Sequence, residues 1–230
     1  MERANLLPAG DAAASGHVEL TPAKPRARPS FAEIRARLAG RVRGPDRGGG
    51  AGRGDHDLNP GMAPLSQLRA ASVLVPLVDR PDGISVLLTK RTDHLARHAG
   101  QIAFPGGRIE DDDIDAVAAA LRETEEEIGM SRSHVEPIGQ LDHYVTRTGF
   151  TVTPVVGIVT PPFTLVLDPH EVADAFEVPL DFLLDPANRQ KQGTEYQGVM
   201  RHFYVFAYGE RNIWGATAGM LVNLAEVLAP

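Results

Sequence analysis

Apolar positions are sparse before about residue 62 and dense after it. From Ala71, "ASVLVPLV" is a continuous apolar run of strand length, and "ISVLLTKR" is a second. Between them stands "RPDG", where Pro81 presets φ and Gly83 accepts positive φ, so residues 71–91 predict a hairpin. Helical spacing over residues 113–128 sets Val117, Leu121, Thr124 and Ile128 on one stripe. "FTVTPVVGIVT" (150–160) predicts a strand in which Pro154 marks an edge or a bulge. "PHEVADAFEVPLDFL" (169–183) predicts a short helix running into a turn, "RHFYVFAY" (201–208) a strand, and "WGATAGMLVNLAEVL" (214–228) a closing helix. Strands and helices mix without a regular βαβ repeat. The fold class is therefore α+β, an α/β/α sandwich around a mixed sheet.

The division near residue 62 is also one of composition. About ten of the 23 glycines precede it, with few β-branched or aromatic residues. Such a segment buries too little to offset its ordering entropy. Residues 1–62 thus read as a largely disordered tail, and 63–230 as the folded domain. Inside the tail, "SFAEIRARLAG" has the capping-box spacing Ser30 to Glu33, and Phe31, Ile34 and Leu38 share a helical face. A short helix at about 31–42 is expected, docked on the domain or beside it, followed by a glycine-rich linker.

Composition narrows the chemistry. The chain has no cysteine, which removes disulfides and thiolate nucleophiles, and leaves a zinc site only His and carboxylates. A net charge of −7 argues against non-specific nucleic-acid binding. No apolar run nears the roughly 20 residues of a membrane span. The first residues lack the apolar core of a signal peptide, and Glu2, Asp11 and Glu19 count against an organelle transit peptide. A cytoplasmic protein with no nucleic-acid or membrane partner is expected.

The densest charge lies in "ALRETEEEIG" (120–129). With Glu123 at zero, Glu127 falls at about 40° and Glu126 at about −60° on the helical wheel, so the three carboxylates share an arc of roughly 100° opposite the apolar stripe. Glu125 points elsewhere. Like charges four apart cost roughly 0.2–0.5 kcal/mol. Anions at a helix C-terminus oppose the macrodipole by roughly 0.3–1 kcal/mol each. Arg122, four before Glu126, relieves this within the helix. A solvated acidic face is one account; a hard cation such as Mg²⁺, which takes carboxylate oxygens, is the other.

The preceding residues bear on that choice. "FPGGRIEDDD" puts a Pro-Gly-Gly turn before the helix, and glycines there allow close backbone approach. Together "FPGG" and "RETEEEIG" resemble the signature of the Nudix hydrolases, in which a glycine and a glutamate precede Arg-Glu, two residues, Glu-Glu, any residue and Gly. Arg122, Glu123, Glu126, Glu127 and Gly129 match. The first acid is Asp113 instead of Glu, one residue further from Arg122 than the pattern has it, and Thr124 stands at a position usually apolar. Upstream, "LLTKRTDHLARHAGQIAFPGG" (87–107) resembles the added motif of coenzyme A pyrophosphatases through Arg91, Thr92, Leu95, His98 and Gly100. Ala96 replaces the arginine usual after Leu95, and Arg97 follows it. The likeness runs over roughly residues 65–228, with "EVADAFEVPLDFLLDPAN" (171–188) and "IWGATAGML" (213–221) resembling later segments.

The resemblance implies a Nudix fold and hydrolysis of the diphosphate of coenzyme A or an acyl derivative to 3′,5′-ADP and 4′-phosphopantetheine or its acyl form. It implies Mg²⁺ or Mn²⁺ held by Glu123, Glu126 and Glu127, with the Gly106 carbonyl adding a ligand. Such an ion neutralises the diphosphate and acidifies a bound water. Glu126 and Glu171 are the candidates to take the proton, and Arg122 holds the glutamates. Arg91 and Arg97 are candidate phosphate contacts, since a guanidinium matches a phosphate in bidentate fashion; a surface ion pair is the plainer role. His94 and His98 read as loop-ordering groups. Trp214 reads as core, with substrate stacking the alternative. Two other functions stay open: a Nudix enzyme for an ADP-sugar or a dinucleoside polyphosphate, and a non-catalytic Nudix module, against which the intact glutamates argue. A homodimer is common in that family.

Deleting residues 1–28 should leave activity intact, because the segment has no apolar pattern to pack. Steady-state kinetics of the truncated chain check this, and a large loss would refute it.

Overall fold

A computed structural model describes residues 28–41, 53–59, 61–62, 67–94, 99–196 and 198–229. In chain order the elements are α1 (Phe31–Leu38), β1 (Arg53–Gly54), β2 (Arg69–Arg80), β3 (Gly83–Arg91), β4 (Ile102–Ala103), β5 (Gly106–Arg108), α2 (Ala116–Ile128), β6 (Val135–Gln140), β7 (Tyr144–Val145) and β8 (Phe150–Val159). They continue with β9 (Val172–Pro179), α3 (Leu180–Leu184), β10 (Arg189–Tyr196), β11 (Val199–Tyr208), β12 (Arg211–Trp214) and α4 (Ala216–Val227).

The expected hairpin forms, with β2 and β3 antiparallel and Leu77 opposite Val86. The main sheet has nine strands among the described residues and is mixed. Its centre is the parallel pairing of β2 with β8, from Arg69 opposite Phe150 to Val78 opposite Val159. On the outer side of β3 lies β9, and β6 and β7 follow one another along β8. Strand alternation turns Leu74 and Val78 to one face, where Ala120 and Ile128 of α2 cover them. Val75 and Leu77 face the other side, against α1, α3, α4 and the three-stranded sheet β10–β11–β12. The result is the α+β sandwich expected.

Helix α1 is a packed element. Ser30 and Glu33 form the capping box, and Ile34 and Leu38 are fully buried in the main core. Arg35 adds a bidentate pair with Glu136 of β6. Residues on the tail side of position 62 also enter the structure. Strand β1 pairs with β7, and the Asn59 side chain bonds both ways with the His202 backbone, accepting from its N–H at 2.8 Å and donating to its carbonyl at 3.0 Å.

Three expectations are corrected. Residues 172–179 form strand β9, and helix begins only at Leu180. Phe176 and Val178 are buried on one face at even spacing, Val172 turns to the α2 side beyond a bulge, and pairing with β3 overrides the helix preference of Glu and Ala. Pro154 is not on an edge strand, because β8 is interior; it sits where the register shifts by one residue, between Gln140 opposite Val155 and Tyr144 opposite Val152. Its carbonyl accepts from Leu141, so its imide nitrogen faces the same side, at the break between β6 and β7 where no ladder donor is needed. Trp214 is 44% exposed on β12 and is not core.

Leu38→Ala should lower unfolding stability by about 2–5 kcal/mol, the usual cost of emptying a sealed aliphatic site. Urea denaturation measures it. An effect near zero would mean that α1 does not pack as described.

Candidate active site

Helix α2 carries the acidic run, and its start is fixed by two contacts. The Asp115 side chain caps it by accepting from the Ala118 N–H at 2.8 Å. Ser72 of β2, fully buried, donates to the Ala116 carbonyl at 2.6 Å, with the Thr153 carbonyl at 3.1 Å as the alternative acceptor, tying helix to sheet. At the other end the Asp168 N–H donates to the Glu127 carbonyl at 2.9 Å. The same turn is held to β3's end, where Thr92 donates its N–H to the Glu171 carbonyl and its hydroxyl to the His170 carbonyl, both at 3.0 Å. These bonds bring Arg91, Glu171 and the acidic helix to one place.

The carboxylates do not all face water. Glu127 is 5% exposed, and its Oε2 accepts from the Gly106 N–H at 3.1 Å. Glu123 lies against Gly107, with its carboxyl where any side chain there would stand. The arc therefore flanks β5 instead of lying opposite the core, and only Glu126 projects outward, its side chain 61% exposed. Glu125 is off the arc and pairs with Arg132 at 2.9 Å.

Arg122 ties this surface together. It donates to both Asp113 oxygens, at 3.0 and 2.9 Å, to Glu123 at 2.9 Å, to Glu126 at 3.3 Å and to the Arg108 carbonyl at 3.1 Å. Every guanidinium nitrogen is engaged, so Arg122 positions its neighbours. Asp113 stands outside the helix, and the Arg122 guanidinium holds its carboxyl below the usual range. Arg91 approaches Glu127 and Glu171, at 3.7 Å from each.

Burial pushes the Glu127 carboxyl up to about 7; the Gly106 N–H and Arg91 oppose this, while Glu171 and Glu123 add to it. Burial also raises Glu123, against the pull of Arg122. The donors are all oxygen, and they are held close together against their own repulsion. That chemistry suits a hard divalent cation, which needs one or two carboxylates and takes its other ligands from water and phosphate. Among the described residues no three His or acidic side chains already converge on an ion. Glu123 is turned to Arg122 and Glu127 to Gly106. Gly106, expected to offer its carbonyl, is seen here through its N–H.

A family model for the NUDIX domain matches residues 68–200. The chain belongs to the Nudix hydrolases. It is 43% identical over 157 residues to the uncharacterised Nudix hydrolase NudL of Escherichia coli K12, covering 68% of this chain and 81% of that one. The NudL of Yersinia pestis Pestoides F is 39% identical over 158 residues, covering 69% and 79%. An Ap4A hydrolase from C. elegans shares 21% identity over 50% of this chain and 82% of its own, with a TM-score of 0.42. Nudix hydrolases act on nucleoside diphosphate derivatives and generally need divalent metals. No helix among the described residues is long and apolar enough to cross a membrane.

In this Nudix hydrolase the structure gathers Glu123, Glu127, Gly106, Arg122, Arg91 and Glu171, with Glu126 at the rim. Arg97 and His98 lie outside the described residues. Beyond Arg91 opens a cavity of about 560 Å³ between the main sheet and the second one, lined by Phe104, Phe150, Arg201, Phe203 and Trp214 among others. Sequence reasoning missed Arg201. The available signal was strand alternation, which sets Arg201, Phe203 and Val205 on one face of β11.

Metal-free protein should lose stability as pH rises from about 4.5 to about 7. The folded state holds the Glu127 proton more tightly than the unfolded state, so its contribution is complete below the unfolded pKa and gone above the folded one. The size is on the order of 3 kcal/mol. Glu127→Gln should flatten that slope in chelator-treated urea melts, and Glu123→Gln and Glu127→Gln should each cut metal-dependent turnover by orders of magnitude. Glu125→Gln should be nearly silent in turnover; near-normal activity in either of the first two would remove them from the site.

Proposed function

We propose that the chain hydrolyses the diphosphate of coenzyme A or an acyl derivative, giving 3′,5′-ADP and 4′-phosphopantetheine or its acyl form. One observation carries the reading. The segment that resembles the coenzyme A motif delivers Arg91 to the acidic helix, facing Glu127 and Glu171 at 3.7 Å, with its Nε buried and unbonded. A partly exposed guanidinium that no carboxylate meets at hydrogen-bond distance favours an anion.

In this reading Glu123, Glu126 and Glu127 hold Mg²⁺ or Mn²⁺, whose charge offsets that of the diphosphate. Arg122 keeps Glu123 and Glu126 in register while its own nitrogens stay occupied. Arg91 orients the diphosphate over the acidic face. Glu126 and Glu171, both open to water, are the carboxylates able to take a proton from the attacking water at an Oε. Burial of Glu127 supports a role in which its charge is compensated on loading. Arg97 retains its proposed place as a second phosphate contact.

Product analysis with coenzyme A, ADP-ribose and diadenosine polyphosphates, with and without Mg²⁺, tests this directly. Coenzyme A should yield 3′,5′-ADP only with metal. Turnover confined to the other two would move the enzyme to another Nudix substrate class. Arg91→Ala should weaken coenzyme A use about ten- to hundredfold, as expected for one charge-assisted phosphate contact.

A further inference from the structure

Arg201 has no part in the metal face, yet its environment is as unusual as that of Arg91. It stands on β11 opposite Thr194 of β10 and lines the large cavity. Its Nε is buried without a hydrogen-bond partner, and among the described residues it makes no ion pair. A permanent cation that lines a cavity without a carboxylate partner favours an anion there. The carboxylate that shares the cavity, Asp55, is committed elsewhere. Its Oδ1 accepts from the Tyr144 hydroxyl at 2.9 Å and its Oδ2 from the Arg147 N–H at 2.8 Å. Beside Arg201 the wall is aromatic. Phe203 and Trp214 have ring centroids 5.6 Å apart, and Trp214 is 44% exposed. The cavity thus carries the Arg91 guanidinium by the acidic helix and the Arg201 guanidinium in the other sheet.

We propose that Arg201 is a specificity-determining residue that receives a second, non-scissile phosphate of the substrate, with the aromatic base of the same nucleotide seated by Trp214. The inference rests on the reading of the site as a diphosphatase of coenzyme A-type substrates, and it assigns the 3′-phosphate to Arg201. A diphosphate engaged by Arg91 and a phosphate monoester engaged by Arg201 place one anionic group at each of these two cations. A substrate without the monoester leaves the Arg201 guanidinium without an anion.

Trp214 is the sole tryptophan of the chain, so its fluorescence reports on the cavity. The full chain, stripped of metal by chelator, is titrated with adenosine 3′,5′-bisphosphate and with AMP. The parent should bind the bisphosphate about ten- to hundredfold tighter, with a change in Trp214 emission. Arg201→Gln should bind both ligands alike, at the parent's affinity for AMP. Arg201→Lys, which keeps the charge but loses the planar fork, should keep only part of the preference and serves if the glutamine variant does not fold. The proposal is overturned if the parent shows no preference, or if either variant keeps it whole. The substrate reading is judged separately, by coenzyme A hydrolysis. If coenzyme A is not cleaved but the preference exists and depends on Arg201, the anion site stands and the substrate changes. If coenzyme A is cleaved without such a preference, Arg201 has no part in recognition.

Discussion

Close approach at Gly106 and Gly107 governs the arrangement of this site. Strand β5 lies between β2 and α2, and neither side leaves room for a side chain. A Cβ on Gly106 would run into the backbone and Cγ1 of Val73, and one on Gly107 would occupy the Glu123 carboxyl. Gly106 also takes φ +150, open chiefly to glycine. Because both residues are bare, the helix settles close enough for the Gly106 N–H to reach Glu127. The same contact strips Glu127 of water. Geometry and electrostatics therefore share one cause, and an alanine at either position would disturb both.

The acidic surface is stabilised unevenly, and the unevenness follows the chain. Toward the helix start, Arg122 links Asp113, Glu123, Glu126 and the Arg108 carbonyl into one hydrogen-bonded group. At the C-terminal end Glu127 has a single N–H and a guanidinium at 3.7 Å, too far for a direct hydrogen bond. The first half is a finished ion network. The second is under-compensated, and that is where added positive charge is most favourable. Without the Arg122 group, the like charges on consecutive turns would be free to splay.

Much of this was legible in the sequence because the signals were local. The capping box at Ser30, the turn at Pro81–Gly83 and the charge spacing of 122–127 depend on residues a few positions apart, and each element they predicted is present. Strand β9 was not legible, since "VADAFEV" satisfies helix propensity, its alternation is confined to Phe176 and Val178, and only pairing with β3 decides. The orientation of the acidic arc was misjudged for a similar reason. A helical wheel separates faces but does not know that two glycines will admit a carboxylate to the sheet side. Arg201, Trp214 and the cavity they share depend on two sheets meeting, which no short window contains.

The segment Asp55–Asn59 closes the cavity from a part of the chain that precedes the matched domain, gripping His202 at one point and Tyr144 at another. Trp214 and Met220, which also line it, follow that domain. The acidic helix and its diglycine partner lie within it. Part of the cavity wall thus comes from stretches on either side of the one that carries the acidic helix, while Arg91, Phe104 and Phe150 of the same wall lie within it. Substitutions at either end can therefore reshape that compartment without touching the acidic helix or the two glycines against which it rests.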